Sequence, residues 1–310
     1  MLSNFTGIKK HTQGICRYNI PAAYSRRSTS APDAELQYLV FGSTAVLQHV
    51  KIKREVVMKN YLELVDKVLN QGTLKPNRTG TSALSLSGAL LEHDMQQGFP
   101  LLTTKKMAFK ALRVELEFFI KGLTDKKWLQ ERGCHIWDEW CSPDRLPPGL
   151  TEKERKQQQE NETDLGPVYG FQWRSFGKHS LNTKGVDQLQ QVVCKLKENP
   201  LDRRMLVSAW NPVDLPHMAL PPCHVLFHLV VINHTLNLNW FQRSCDLMLG
   251  IPFNLASYAL LLHLLAREAG LKEGKVCGML SDVHIYENHI QGAEEQLSRT
   301  PYPLPRLETG

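Results

Sequence analysis

Apolar residues recur every three or four positions over MKNYLELVDKVLNQG, which predicts a helix beginning at Met58 and stopped by Gly72. The same spacing predicts helices over 107–121 (MAFKALRVELEFFIK) and 186–199. Runs rich in Val, Leu and Phe at 204–210 and 223–232 predict strands. Asn233-His234 then turns the chain into 236–244, making an antiparallel hairpin. Residues 255–270 are apolar on nearly all sides and predict a long central helix. The longest uncharged run, 247–266, is interrupted by Gly250, Pro252, Asn254 and His263. It therefore predicts a loop feeding a buried helix, not a membrane span. The sum is a single α+β domain, a mainly antiparallel twisted sheet packed by helices.

The composition, 42% hydrophobic and 22% charged over 310 residues, is that of a soluble globular chain long enough for a substantial core. The net charge of +6 changes meaning once it is divided. Residues 1–57 carry eight basic and three acidic side chains, and the rest carries 29 and 28. The body is near neutral, so no basic face for nucleic acid is expected. Residues 1–32 hold five basic residues and no acidic one, the pattern of a mitochondrial transit peptide or of a disordered extension. Seven cysteines without CxxC spacing suggest reduced thiols in a cytoplasmic or, with a working leader, mitochondrial protein. The expected organisation is an extension over 1–57 and a folded body over 58–310. That body carries a polar surface insertion at 141–163 and a loop at 177–185.

Glu115 falls inside the apolar stripe of its helix, among Ala108, Ala111, Leu112, Phe118 and Phe119. Arg113 and Glu117 lie on the opposite face at ion-pair spacing. A carboxylate on a core face has its pKa raised toward the range of a general acid/base, unless it is a structural partner of a buried arginine. Cys223, in LPPCHVLFH, follows two prolines that fix the chain where the strand begins. His224 points to the opposite strand face, which disfavours a Cys–His dyad. The hairpin sets Cys223 opposite Ser244, within one residue, and brings Arg243 beside it. A neighbouring guanidinium favours the thiolate; the alternative is an inert buried thiol. Arg78 in NRTGT, the Arg203-Arg204 pair and Arg243 are solvated strand-edge residues or, if they converge, a phosphate site. Asn254 either caps the following helix or offers an amide to a base edge. His284, Tyr286 and His289 in DVHIYENH lack HExxH spacing, and Cys223 has no second cysteine three residues on, so no metal is assigned.

These segments resemble thymidylate synthase. The likeness runs from about Met58 to Arg306 and rests on NRTGT, GFPLLTTKK, VELEFF, HIWDEW, DLGPVYGFQWR, DRRMLVSAWNP, ALPPCH, FQRSCDLMLGIPFNLASYALL and DVHIYENH, in that order. It implies reductive methylation of dUMP to dTMP, with 5,10-methylenetetrahydrofolate as donor of both carbon and hydride. Cys223 would attack C6 of the uracil ring. Arg243 and Arg78 would hold the phosphate, Glu115 would relay protons to the uracil carbonyl, and Tyr169 would sit near the C5 proton. Gln242, Ser244, His284 and Tyr286 would bind phosphate or sugar, and Asp246 and Trp137 would face the folate. Arg203 and Arg204 would reach the partner's phosphate in a two-fold homodimer. The sister deoxycytidylate hydroxymethylases carry Asp at the position of Asn254. The amide here, with Trp137 and Trp140, favours methylation of a uracil over hydroxymethylation. The family continues past PLPRL into an apolar tail that closes over the folate, whereas this sequence ends in ETG. A nucleotide-binding homologue with impaired turnover is therefore the alternative.

Overall fold

The computed structural model describes residues 58–77, 80–179 and 184–307. The 1–57 extension and Arg78 lie outside the described residues. Six strands form one sheet in the order β1-β2-β6-β5-β4-β3. They are β1 (Thr73–Lys75), β2 (Ala83–Asp94), β3 (Leu206–Ser208), β4 (His224–Ile232), β5 (Thr235–Asp246) and β6 (Lys272–Tyr286). Every neighbouring pair is antiparallel except β5 with β6, which is parallel. Parallel neighbours need a crossover, and α7 (below) supplies it.

The helices are α1 (Lys59–Gln71), α2 (Phe109–Lys121), α3 (Lys127–Gln130), α4 (Glu152–Asn161), α5 (Tyr169–Ser175), α6 (Gln188–Glu198), α7 (Gly250–Ala269) and α8 (Ile290–Ser298). Among the described residues none is long and apolar enough to cross a membrane. The 141–163 segment is mostly exposed, apart from buried Cys141 and Ser142, and contains α4, an exposed helix. Thr151 and Glu154 cap it reciprocally. It is anchored from below by Lys126, whose buried Nζ donates to the carbonyls of Asp138, Trp140 and Gln159 at 2.6–2.8 Å. On α2, Glu117 pairs with Lys121 at 3.3 Å.

The hairpin forms where the sequence placed it. Asn233 and His234 both take positive φ, 49° and 60°, and Ile232 pairs with Thr235. A two-residue turn of that hand matches the twist of the strands it joins. The register then slips by one residue between His224 and Leu226. This bulge sets Cys223 against Arg243, whose N–H donates to the Cys223 carbonyl at 2.9 Å, instead of against Ser244. The strand expected over 204–210 shrinks to Leu206–Ser208.

α7 starts at Gly250, not Leu255. Pro252 is tolerated because a first-turn residue has no helical acceptor for its N–H. The N-cap reading of Asn254 therefore fails: this residue is inside the helix. α7 packs on one face of the sheet, where Trp240 stacks on Tyr258 at 5.3 Å. Trp240 pairs with Gly278 on β6, and a Cβ at Gly278 would lie 2.4 Å from the indole. Glycine is required there by the ring, not by a turn. On the opposite face, Leu226, Phe241, Met279 and Leu90 are successive cross-strand neighbours. Met279 and Leu90 in this row are exposed, at 40% and 73%.

Candidate active site

Cys223 sits at the mouth of the β4–β5 hairpin, between two unlike environments. On the open side its Sγ lies 3.9 Å from Nη2 of Arg243. That guanidinium is aimed by backbone: Nε donates to Pro222 O at 2.9 Å and Nη2 to Pro221 O at 2.7 Å. The two prolines thus fix both the thiol and the cation beside it. Arg243 and Ser244 line an open cleft with Lys75, Asp282, His284 and Tyr286. Lys75 Nζ meets Asp282 at 2.7 Å, and His284 Nδ1 lies 3.0 Å from the Asp282 carbonyl. Cations, hydroxyls and an imidazole around a solvent-reached space suit a phosphorylated sugar.

The other side is closed. The Tyr169 hydroxyl accepts the Cys223 backbone N–H at 2.8 Å. Its ring is stacked between Phe119 and His224, at 4.9 and 4.2 Å. Burial, reinforced by the nearby Cys223, raises the Tyr169 hydroxyl well above the usual phenol range. Burial also lifts Glu115 to about 7, and the Trp137 indole N–H, donating to Oε1 at 2.8 Å, opposes part of that rise. The partner of Glu115 is an indole, so the reading with a buried arginine fails. A carboxyl poised near neutrality can take and return a proton. Burial pushes His224 down to about 3, and its Nδ1 lies 2.8 Å from the Tyr258 hydroxyl. A neutral imidazole engaged elsewhere is no base for the thiol, in line with the strand argument. Glu115, His224, Asn254 and Tyr258 line one small cavity.

A relay orients Asn254. The Trp240 indole, a donor only, gives its N–H to Gln242 Oε1 at 3.1 Å. Gln242 Nε2 must then be the donor toward Ser244 O at 3.0 Å and Asn254 Oδ1 at 2.9 Å. Asn254 is left with its Nδ2 donor and one remaining lone pair on Oδ1. That pair complements a ring edge with a carbonyl beside an N–H. Gln242 itself is buried and its amide is engaged by this relay.

The remaining candidates are dispersed. Asp246 Oδ1 accepts the N–H groups of Met248 and Leu249, at 2.8 and 3.1 Å, and fixes the turn ahead of α7. Trp137 is buried, and Trp140 is half-buried with its carbonyl on Lys126. Arg203 and Arg204 are exposed on the turn before β3, and neither lines the Arg243 cleft. Arg204 pairs with Asp202, whose carboxyl is held down to about 2, first by the Arg204 backbone N–H and then by its side chain. The sequence reading missed Lys75, Tyr258 and Trp240. The alternation of β5 was the available signal for Trp240, since it puts the indole on the same face as Gln242.

The thymidylate synthase family model matches residues 59–310. The chain is similar to a bifunctional dihydrofolate reductase-thymidylate synthase of Paramecium tetraurelia. The two are 43% identical over 264 residues, which is 83% of this chain and 56% of that protein. It is also similar to a bifunctional dihydrofolate reductase-thymidylate synthase of Glycine max, at 47% identity over 255 residues, or 80% and 47% of the two chains. The chain thus spans about half the length of the curated relatives it matches.

Proposed function

The chain belongs to the thymidylate synthase family, and we propose on that footing that it methylates dUMP to dTMP through a covalent adduct on Cys223. The observation that carries the reading is the pairing of the Cys223 thiol with the Arg243 guanidinium at 3.9 Å, beside a carboxyl lifted to about 7 at Glu115. The cleft of Arg243, Ser244, His284 and Tyr286 takes the nucleotide's phosphate and sugar. Arg78 joins them in this reading. Asn254, oriented by Gln242, reads O4 and N3–H of uracil and disfavours cytosine, whose donor and acceptor are exchanged. The Cys223 thiolate adds to C6, and the electron pair displaced from the C5–C6 bond makes C5 the nucleophile. Glu115 exchanges a proton with the uracil carbonyl as charge builds there, and Tyr169 lies on the side from which the C5 proton leaves. 5,10-Methylenetetrahydrofolate, when bound near Trp137 and Asp246, supplies the one-carbon unit and the hydride. The C6–sulfur bond then breaks and the thiolate is regenerated.

The same reading makes the protein a homodimer. The row Leu226, Phe241, Met279 and Leu90 is an apolar stripe across four strands, exposed at Met279 and Leu90, and a second copy buries it. Arg203 and Arg204 then serve the partner's phosphate.

The test is absorbance-monitored dihydrofolate formation from dUMP and methylenetetrahydrofolate, with mass analysis of the adduct formed with 5-fluoro-dUMP. Turnover and an adduct that disappears in Cys223→Ala are expected. Bound dUMP without dihydrofolate would overturn the proposed activity, and hydroxymethyl-dUMP with tetrahydrofolate would assign the sister reaction.

A further inference from the structure

Away from this site, three segments remote in sequence bring Asp144, His179 and His217 together. Asp144 lies in the turn Pro143–Arg145, inside the polar 141–163 stretch, and His217 ends the turn Leu215–His217. His179 comes from the turn at 177–179. One ligand atom from each lies within 4.8 Å of the other two. His217 Nδ1 is 2.9 and 3.1 Å from the Asp144 carboxylate oxygens, and the two imidazole rings are 4.8 Å apart.

We propose that Asp144, His179 and His217 bind one divalent transition-metal ion of the zinc, cobalt or nickel class. Two imidazoles and one carboxylate are a borderline donor set. It suits those ions and not calcium or magnesium, which take oxygen ligands. Three protein ligands leave a fourth position for water. The cluster has support behind it. Nδ1 of His179 faces the buried carboxylate of Asp214 at 3.6 Å. Asp214 is itself held by Gln172 Nε2 at 2.7 Å and Asn211 Nδ2 at 2.9 Å. A carboxylate behind a ligating histidine is the arrangement that orients the ring toward a metal. Ser142 Oγ also donates to the His217 carbonyl at 2.8 Å, tying the Asp144 segment to the His217 turn. Tetrahedral ligands on such an ion stand closer than 4.8 Å, so binding draws the exposed Asp144 and His179 inward by small rotamer changes. The ion clips the 143–145 turn and the 177–179 turn onto the 215–217 turn.

Cobalt titration of the untagged, reduced full chain tests this, because nitrogen and oxygen ligation gives visible ligand-field bands whereas thiolate ligation adds an intense near-ultraviolet band. One equivalent with visible bands and no thiolate band is expected. His179→Ala and His217→Ala should each weaken binding by about tenfold or more, and Asp144→Asn by less. Zinc should raise the melting temperature of the parent chain and not of the histidine variants, whose metal-free melting shows that they fold. No binding at millimolar cobalt, a thiolate band, or parental affinity in either histidine variant would overturn the proposal.

Discussion

The two sides of Cys223 differ more than any other neighbouring regions of the fold. The Arg243 side is open, lined by Lys75, Asp282, His284 and Tyr286, and reached by water. The Glu115 side is closed, and burial there displaces the proton affinities of Glu115, Tyr169 and His224 in opposite senses according to charge type. Under the proposed function, Cys223 borders a region suited to hold an anion and a region suited to handle protons. Keeping them apart lets the charged groups remain charged while the carboxyl stays near neutrality.

From that division, changes on the closed side should fall on turnover and changes on the open side on nucleotide affinity. Glu115→Gln should lower kcat by roughly 100- to 10,000-fold with little change in dUMP affinity, and remove the kcat limb near pH 7, as steady-state profiles will show. A large affinity loss instead would break the division. The next effect is on stability. Unfolded His224 takes a proton near pH 6.5 that the folded site refuses until about 3. The stability tied to its neutral form is full above pH 6.5 and lost as pH falls toward 3, on the order of 5 kcal/mol at most. Urea denaturation of the parent chain and of His224→Phe across that window measures it: the variant should lose less. Arg243→Ala should weaken dUMP binding by about 10- to 100-fold by calorimetry, with a reduced dependence on salt. The smallest effect belongs to the relay. Trp240→Phe keeps an aromatic side chain but removes the indole N–H, freeing Gln242 to turn. Discrimination of dUMP over dCMP should fall by about tenfold or less in competition binding.

The hairpin was legible because Asn233-His234 stands between two β-rich runs. Glu115 was legible because a charge inside an apolar helical stripe is conspicuous. β2 and β6 were not, since ALSLSGALLEHD and KEGKVCGMLSDVHIY mix glycine, serine and acids into their alternation. Their assignment rests on pairing with each other and with β5, which is tertiary information. The bulge was hidden for the same reason: no residue announces it, yet it sets whether Cys223 meets Arg243 or Ser244. Trp137 could not be matched to Glu115 from sequence, because the two share no periodic relation across 22 positions.

Trp240 and Gly278 form a lock with respect to mutational history. An alanine arriving first at Gly278 strikes the indole, and a small residue arriving first at Trp240 leaves a void against Tyr258 and silences the relay to Asn254. Neither of these single steps is neutral, so each position restrains the other. A feature that reads as packing therefore also constrains, through the relay, how the Asn254 amide is held.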